Sequence, residues 1–565
     1  MGVATVRRRR VVLDWLWSYD RSALAPDVLA GLTAAAVVVP KAMAYATVAG
    51  LPVQVGLYTA LAAPIAYALL GRSPVLSVST TTTLAILTGA ALAEAVPGGD
   101  PVRQIVAVSS LAILVGVALV VAAVARLGFV ASFISEPVLA GFKAGIGVVI
   151  ILDQLPKLLG VHLHKVGFFR DVLELARAAP EASAPTLGVS AVAIAVLLAL
   201  KHWFPRLPAA LFVVALGIVA SALLGLPARG VASIGTIPSG LPTPVLPDPG
   251  LFGDLWGAAL AIALMSFTET IASERAFARA EGPRPAPNRE LVASGLANVA
   301  CGLVGGMPAG GGTSQTLVQS AGARTQLAGL TVGLAALATL FLLAPALSLM
   351  PQAVLAAIVI VYSLELVSLR DFRAIAAIRR TEFIWSLTAF AGVLLLGTLK
   401  GIVVAVITSL VALGAQVSRP AVYEVVHKPG TGVFRRRSRK HPGDESFPGL
   451  LLVRVEGRLF FGNAERVMDE VAALVQAAQP RVVVLDCGAI FDVEYSAMKM
   501  LAEAEQRARR LGGEVWLVAL NPAVKASVRR APVGKALGPE RMFYDLEHAV
   551  ARYQALDQNA SPAPK

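Results

Sequence analysis

The chain reads as a polytopic α-helical membrane protein that ends in a soluble α/β domain. Three observations predict this. The 565 residues are 56% hydrophobic and only 15% charged, where a soluble protein carries about 25% charged residues. Fourteen apolar segments fall into two sets of seven around a Pro/Gly-rich loop, and one segment in each set opens on a proline and small polar residues. After Gln416 the character changes to strand–helix alternation.

The first set lies at about 28–48, 55–70, 77–95, 104–125, 133–153, 185–201 and 208–225. The second lies at about 255–275, 290–306, 313–322, 326–349, 352–367, 382–399 and 401–417. An odd repeat count places the halves in opposite orientation, a seven-plus-seven inverted repeat. The expected division is an N-terminal cytoplasmic segment 1–25, repeat one 26–225, an outer loop 226–253 and repeat two 254–417. A basic linker 418–447, a soluble domain 448–555 and a disordered tail 556–565 follow.

Charge supports that order. The net charge is +13, which reads as inner turns obeying the positive-inside rule, not as a nucleic-acid footprint. Arg72, Arg126, Lys201, Arg206, Arg275 to Arg289, Arg324 and Arg370 to Arg380 fall on inner turns when the N-terminus is inside. The stretch 157–177 breaks the pattern, and an amphipathic surface helix explains it. Arg7 to Arg10 precede a short Trp-rich stretch with no long apolar core, which predicts no cleavable signal. Two cysteines in unlike contexts predict neither a disulfide nor a metal site.

Function is written in the two irregular segments. Pro308 to Leu317 holds three glycines and then Thr313, Ser314, Gln315 and Thr316. Pro74 to Leu84 holds Ser77, Ser79, Thr80, Thr81, Thr82 and Thr83. Each reads as an extended lead-in followed by a helix start. A helix start leaves unpaired N–H groups and the positive end of the dipole, an anion site. Within a bilayer such a terminus is tolerated only beside a cavity or buried in protein. The plainer reading, small residues for helix packing, fits either stretch alone better than it fits the pair.

Two ionisable residues sit inside apolar segments. Glu269 lies in the eighth, with Ser273 one turn on along the same face. Lys41 lies in the first, within Pro40-Lys41-Ala42-Met43-Ala44-Tyr45. First and eighth segments are equivalent in a seven-plus-seven repeat, so the two charges are pseudo-symmetric and opposite.

These residues carry a resemblance. Pro40 to Ala46, Ala49-Gly50-Leu51-Pro52, Gly56-Leu57-Tyr58, Leu76-Ser77-Val78, Glu269 to Ala278 and Asn288 to Asn298 resemble the SulP family of sulfate permeases and anion exchangers. The C-terminal domain resembles the STAS domain, with Asp492 to Ala497 where related domains carry Asp-x-Ser/Thr. The resemblance implies core and gate domains, an elevator-type alternating-access mechanism, and substrate held between the third and tenth segment starts. The candidate substrate contacts are Lys41, Tyr45, Ser79, Thr80, Thr81, Gly312, Thr313, Ser314 and Gln315, with Glu269 and Ser273 for the coupling ion. Ser496 becomes a possible regulatory phosphorylation site, against a plain helix-start role. The chain departs from the family where many members have glutamine at Lys41, Gly-Pro at Ser79-Thr80 and arginine at Gln315. The positive charge is therefore expected to have moved from the tenth segment to the first.

The expected activity is secondary transport of a small inorganic anion, sulfate first, coupled to protons or sodium or run as exchange. The expected setting is the plasma membrane, as a homodimer among membrane lipid, with both termini and the STAS domain cytoplasmic. No Gly-x4-Gly-Lys-Ser/Thr loop points to an ATP-driven pump. No catalytic triad or metal cluster points to an enzyme, and no cofactor is expected. Sodium-coupled bicarbonate uptake, a passive anion channel and a nucleobase permease are the alternatives.

Overall fold

The computed structural model describes residues 15–16, 19–71, 73, 76–163, 167–205, 207–277, 286–312 and 321–560. The chain forms two compact units, 1–410 and 411–565.

The first unit is helical. Its first half holds α1 (Leu24–Val48), α2 (Val53–Leu70), α3 (Thr82–Ala95), α4 (Pro101–Val124), α5 (Glu136–Leu159), α6 (Phe168–Ala178), α7 (Ala184–Trp203) and α8 (Ala209–Leu224). Its second half holds α9 (Phe252–Phe277), α10 (Pro287–Leu303), α11 (Leu327–Ala338), α12 (Gln352–Ser363), α13 (Leu369–Ile378), α14 (Arg380–Leu396) and the greater part of α15 (Thr398–Val417). A π-helical turn, Thr339–Leu343, carries α11 on to Leu347. Nine helical stretches among the described residues are long and apolar enough to cross a bilayer, and α3 and α8 are shorter apolar helices. Every expected apolar segment except the tenth appears as a helix. Residues 313–320 of the tenth lie outside the described residues.

The third segment is split as its composition requires. A two-residue strand, β1 (Val78–Ser79), leads in. Thr81 then caps α3, its side chain accepting from the Leu84 N–H. An amphipathic helix with no buried residue follows the fifth segment, α6, and another follows the twelfth, α13. The sequence reading expected the former and took the latter for a charged turn. Leu369, Phe372, Ile375 and Ile378, three apart, carry the helical period there.

The helices sort into two bundles. α1 to α4 pack with α9, α10 and α11, whereas α5, α7 and α8 pack with α12, and α5 also with α14. Small residues let backbones touch. A Cβ at Gly116 on α4 would lie 2.5 Å from the Gly295 carbonyl oxygen on α10, and one at Gly295 would lie 2.8 Å from the Gly116 oxygen. Asp27 on α1 is fully buried and ties the halves together. Its carboxylate accepts from the Arg324 and Thr325 N–H groups at 2.6 and 3.0 Å and from the Thr325 hydroxyl at 2.5 Å, capping the approach to α11.

The second unit is built on a six-stranded sheet, ordered β4-β3-β5-β6-β7-β8. The strands are β3 (Ala421–His427), β4 (Phe434–Arg436), β5 (Leu450–Glu456), β6 (Val482–Asp486), β7 (Glu514–Val518) and β8 (Met542–Phe543). β5 to β8 run parallel, and β3 is antiparallel to both its neighbours. The main helices are α16 (Ala464–Ala478), α17 (Tyr495–Arg510), α18 (Pro522–Arg530) and, after a short α19 (Pro532–Leu537), α20 (Leu546–Ala560).

Two sequence expectations differ here. The stretch 418–447, read as a basic linker, supplies β3 and β4. Two of its arginines are paired with acids: Arg435 grips Asp444 with two bonds of 2.8 and 2.7 Å, and Arg437 lies 3.2 Å from Glu424 on β3. Ser496 is the second residue of α17, behind an N-cap at Glu494, and does not itself cap the helix. Cys301 and Cys487 are free and buried. Burial, then the charge of Asp486, pushes the Cys487 thiol up to about 12, so it stays protonated and inert at neutral pH.

Candidate functional site

The two irregular segments meet. β1 pairs antiparallel with β2 (Gly310–Gly311), Val78 against Gly311 and Ser79 against Gly310. This ribbon lies on α9. The Ser266 hydroxyl donates to the Ala309 carbonyl at 2.7 Å, and the Gly311 N–H donates to Thr270 Oγ1 at 2.8 Å. Only glycine fits that approach, because a Cβ on Gly311 would lie 2.8 Å from Thr270 Cα.

From the other side, Asn298 treats Ala309 as a strand would. Its Nδ2 donates to the Ala309 carbonyl at 3.0 Å, and its Oδ1 accepts the Ala309 N–H at 2.9 Å. Thr59 Oγ1 accepts the Met307 N–H at 2.8 Å. Gln326 donates to the Ser73 and Leu76 carbonyls of the opposite lead-in. The non-helical backbone thus finds partners in protein, as the bilayer requires. Asn298→Ala should orphan the Ala309 N–H, leave the Ala309 carbonyl only its Ser266 bond, and cost about 1–3 kcal/mol. Thermal unfolding of the detergent-solubilised protein reads this as a clear fall in Tm; an unchanged Tm would deny those bonds their weight.

A cavity of about 130 Å³ opens beside the ribbon. Lys41, Tyr45, Ser79, Thr80, Thr81, Gly312, Glu269 and Ser273 all line it. Residues scattered over four segments of the sequence reading therefore share one space. At about 10–15 Å³ per water, it holds a small solute with part of its hydration. Thr313, Ser314 and Gln315 lie outside the described residues.

Lys143 on α5 also lines the cavity and was missed. The signal was present: it is an ionisable residue within an apolar segment, as Lys41 is. An adjoining cavity of about 250 Å³ shares Lys41, Tyr45, Thr82, Lys143 and Leu366 and adds Tyr362, Glu365 and Asp371.

Polarity is graded across the site. The start of α3 offers the positive end of its dipole. Its cap, Thr81, donates its hydroxyl to Glu269 Oε2 at 2.8 Å. Glu269 is 7% exposed, so its carboxylate meets little bulk water. The Lys41 ammonium rests 3.8 Å from the centroid of the Tyr362 ring, and Glu365 and Lys201 are the charges acting on it. Lys41 and Glu269 face one cavity without pairing directly. The site can therefore offer a cation, hydroxyl donors and a helix start to an anion, beside one carboxylate that opposes it.

Residues 24–389 match the sulfate permease family, and residues 441–549 match the STAS domain. A Mycobacterium tuberculosis protein named "Probable sulfate transporter" is 35% identical over 543 residues, covering 95% of this chain and 96% of that protein. High affinity sulfate transporter 1 of Stylosanthes hamata is 25% identical over 570 residues, covering 96% and 85%. The fold matches murine Solute Carrier 26 family member A9, an anion transporter in the inward-facing state, with a TM-score of 0.89 at 21% identity over 98% and 96% of the two chains. It also matches the transmembrane domain of a cyanobacterium bicarbonate transporter, with a TM-score of 0.60 at 22% identity over 69% and 98%. On the evidence of family match and near full-length relatives, this chain belongs to the sulfate permease family.

Proposed function

We propose that the protein carries a small inorganic anion, sulfate first, across the plasma membrane by proton-coupled secondary transport. The observation that supports this best is the shared cavity, where Lys41 and the α3 start stand beside a buried Glu269. The anion is held by the Lys41 ammonium, by N–H groups at the helix start, and by the Ser79 and Thr80 hydroxyls, which turn to it from the Thr80 carbonyl and the Met307 sulfur. Glu269 supplies the coupling. As a carboxylate it repels the anion at short range; protonated, it does not. By linkage, anion binding then draws a proton onto Glu269, and a proton gradient drives anion uptake. The bundle of α1–α4 with α9–α11 carries the site and moves against the other bundle, an elevator-type exchange of access. The two halves serve as an inverted repeat, and the STAS domain lies in the cytoplasm and supports a homodimer.

Sodium-coupled bicarbonate uptake is the second reading. It draws on Ser273, which lines the cavity beside Glu269 and offers a second oxygen to a cation. One experiment separates them. Purified protein is placed in liposomes, and labelled sulfate and bicarbonate are offered with a proton gradient, a sodium gradient or neither. Sulfate accumulation under the proton gradient alone is expected. Accumulation only with sodium, or flux indifferent to every gradient, would overturn the reading.

A further inference from the structure

Among the described residues Lys41 makes no ion pair. Its ammonium lies on the face of Tyr362, at 3.8 Å. Lys201 approaches the same ring at 4.9 Å and is itself ion-paired with Glu365. Lys41 belongs to α1, in the bundle that carries the ribbon. Tyr362 on α12, Lys201 on α7 and Glu365 just after α12 belong with the other bundle. The contact between Lys41 and Tyr362 therefore crosses the seam between bundles.

A ring face holds an ammonium more weakly than an anion does. Here the hold is weaker still, because a second ammonium shares the ring. That second one is ion-paired with Glu365, whereas Lys41 feels the same carboxylate only at longer range. Lys41 also lines both cavities, so its reach covers the ring and the space beside Glu269.

We infer that Tyr362 is a positioning residue: it parks the Lys41 ammonium in the empty carrier, and an arriving anion must take the ammonium from it. The inference rests on the anion site proposed above. Ring and anion compete for one cation, so apparent affinity falls by the fraction of carriers that are parked. The same exchange frees α1 from α12 once cargo is aboard. The empty carrier is held at the seam and the loaded one is released.

The test is the concentration dependence of labelled sulfate uptake in proteoliposomes. Tyr362→Leu removes the ring and should lower KM about fivefold. Tyr362→Phe keeps the ring and should keep the wild-type KM. Tyr362→Trp offers a better face and should raise KM; the Phe and Trp variants decide the matter if the Leu variant does not fold. In a Lys41→Gln background, Tyr362→Leu should leave KM within about twofold, since the partner is gone. An unchanged or raised KM in Tyr362→Leu overturns the inference. So does a Phe variant that shifts as the Leu variant does, or the same shift without Lys41. A wild-type KM in Lys41→Gln alone would instead overturn the anion site itself.

Discussion

Replacing Lys41 with glutamine is expected to weaken sulfate uptake by about tenfold to a hundredfold, seen as a raised KM. A charge-assisted hydrogen bond contributes about 1.5–3 kcal/mol, and each 1.4 kcal/mol is about tenfold in affinity. Lys41 lies half-buried in an apolar segment, so bulk salt screens it less than a surface lysine. Hydroxyl donors and the α3 start remain, so binding is reduced and not abolished. Lys41→Arg keeps the charge and should retain part of the affinity, with loss from its larger planar head. A Lys41→Gln carrier with wild-type KM would overturn the anion site built on Lys41.

Glu269→Gln should remove the pH dependence of uptake and leave anion exchange running. Two like charges roughly 5 Å apart repel by about 3 kcal/mol at an effective dielectric near 20. In the wild type that penalty falls on anion binding whenever Glu269 is charged. Uptake should therefore be stronger at low pH than at high pH. Glutamine imitates the protonated form and can still accept the Thr81 hydroxyl, so the cap of α3 survives. The variant should transport equally from about pH 5 to about pH 8 and fail to accumulate sulfate against its gradient. Uptake with and without an imposed pH difference measures both. Normal proton-driven accumulation by Glu269→Gln would end the coupling role.

What was legible in the chain was what is local in it. Proline, glycine and hydroxyl runs announced both interrupted segments, because their cost inside a helix is fixed by backbone chemistry. Lys41 and Glu269 stood out because a charge within an apolar segment is expensive wherever it sits. Partners supplied by distant elements were not legible. The Thr81 bond to Glu269 spans 188 positions, and no periodicity points from one to the other. Tyr362 looked like one more aromatic residue in an apolar segment until the fold set it under Lys41. Asn298 fell within a matched motif, yet its task of pairing with Ala309 follows only from the turn between them. The 418–447 stretch misled for the opposite reason: Arg435 and Arg437 looked solvated because their acidic partners, Asp444 and Glu424, come from a loop and another strand.

The four residues of the β1–β2 ribbon carry a constraint of their own. Among the described residues each strand supplies the only ladder partner of the other, Val78 with Gly311 and Ser79 with Gly310. A single inserted residue on either side would invert which side chains face the solute. Surface loops can lengthen and lipid-facing residues can change one at a time, but these four positions are constrained as a set, because a shift in one strand is felt at once in the other.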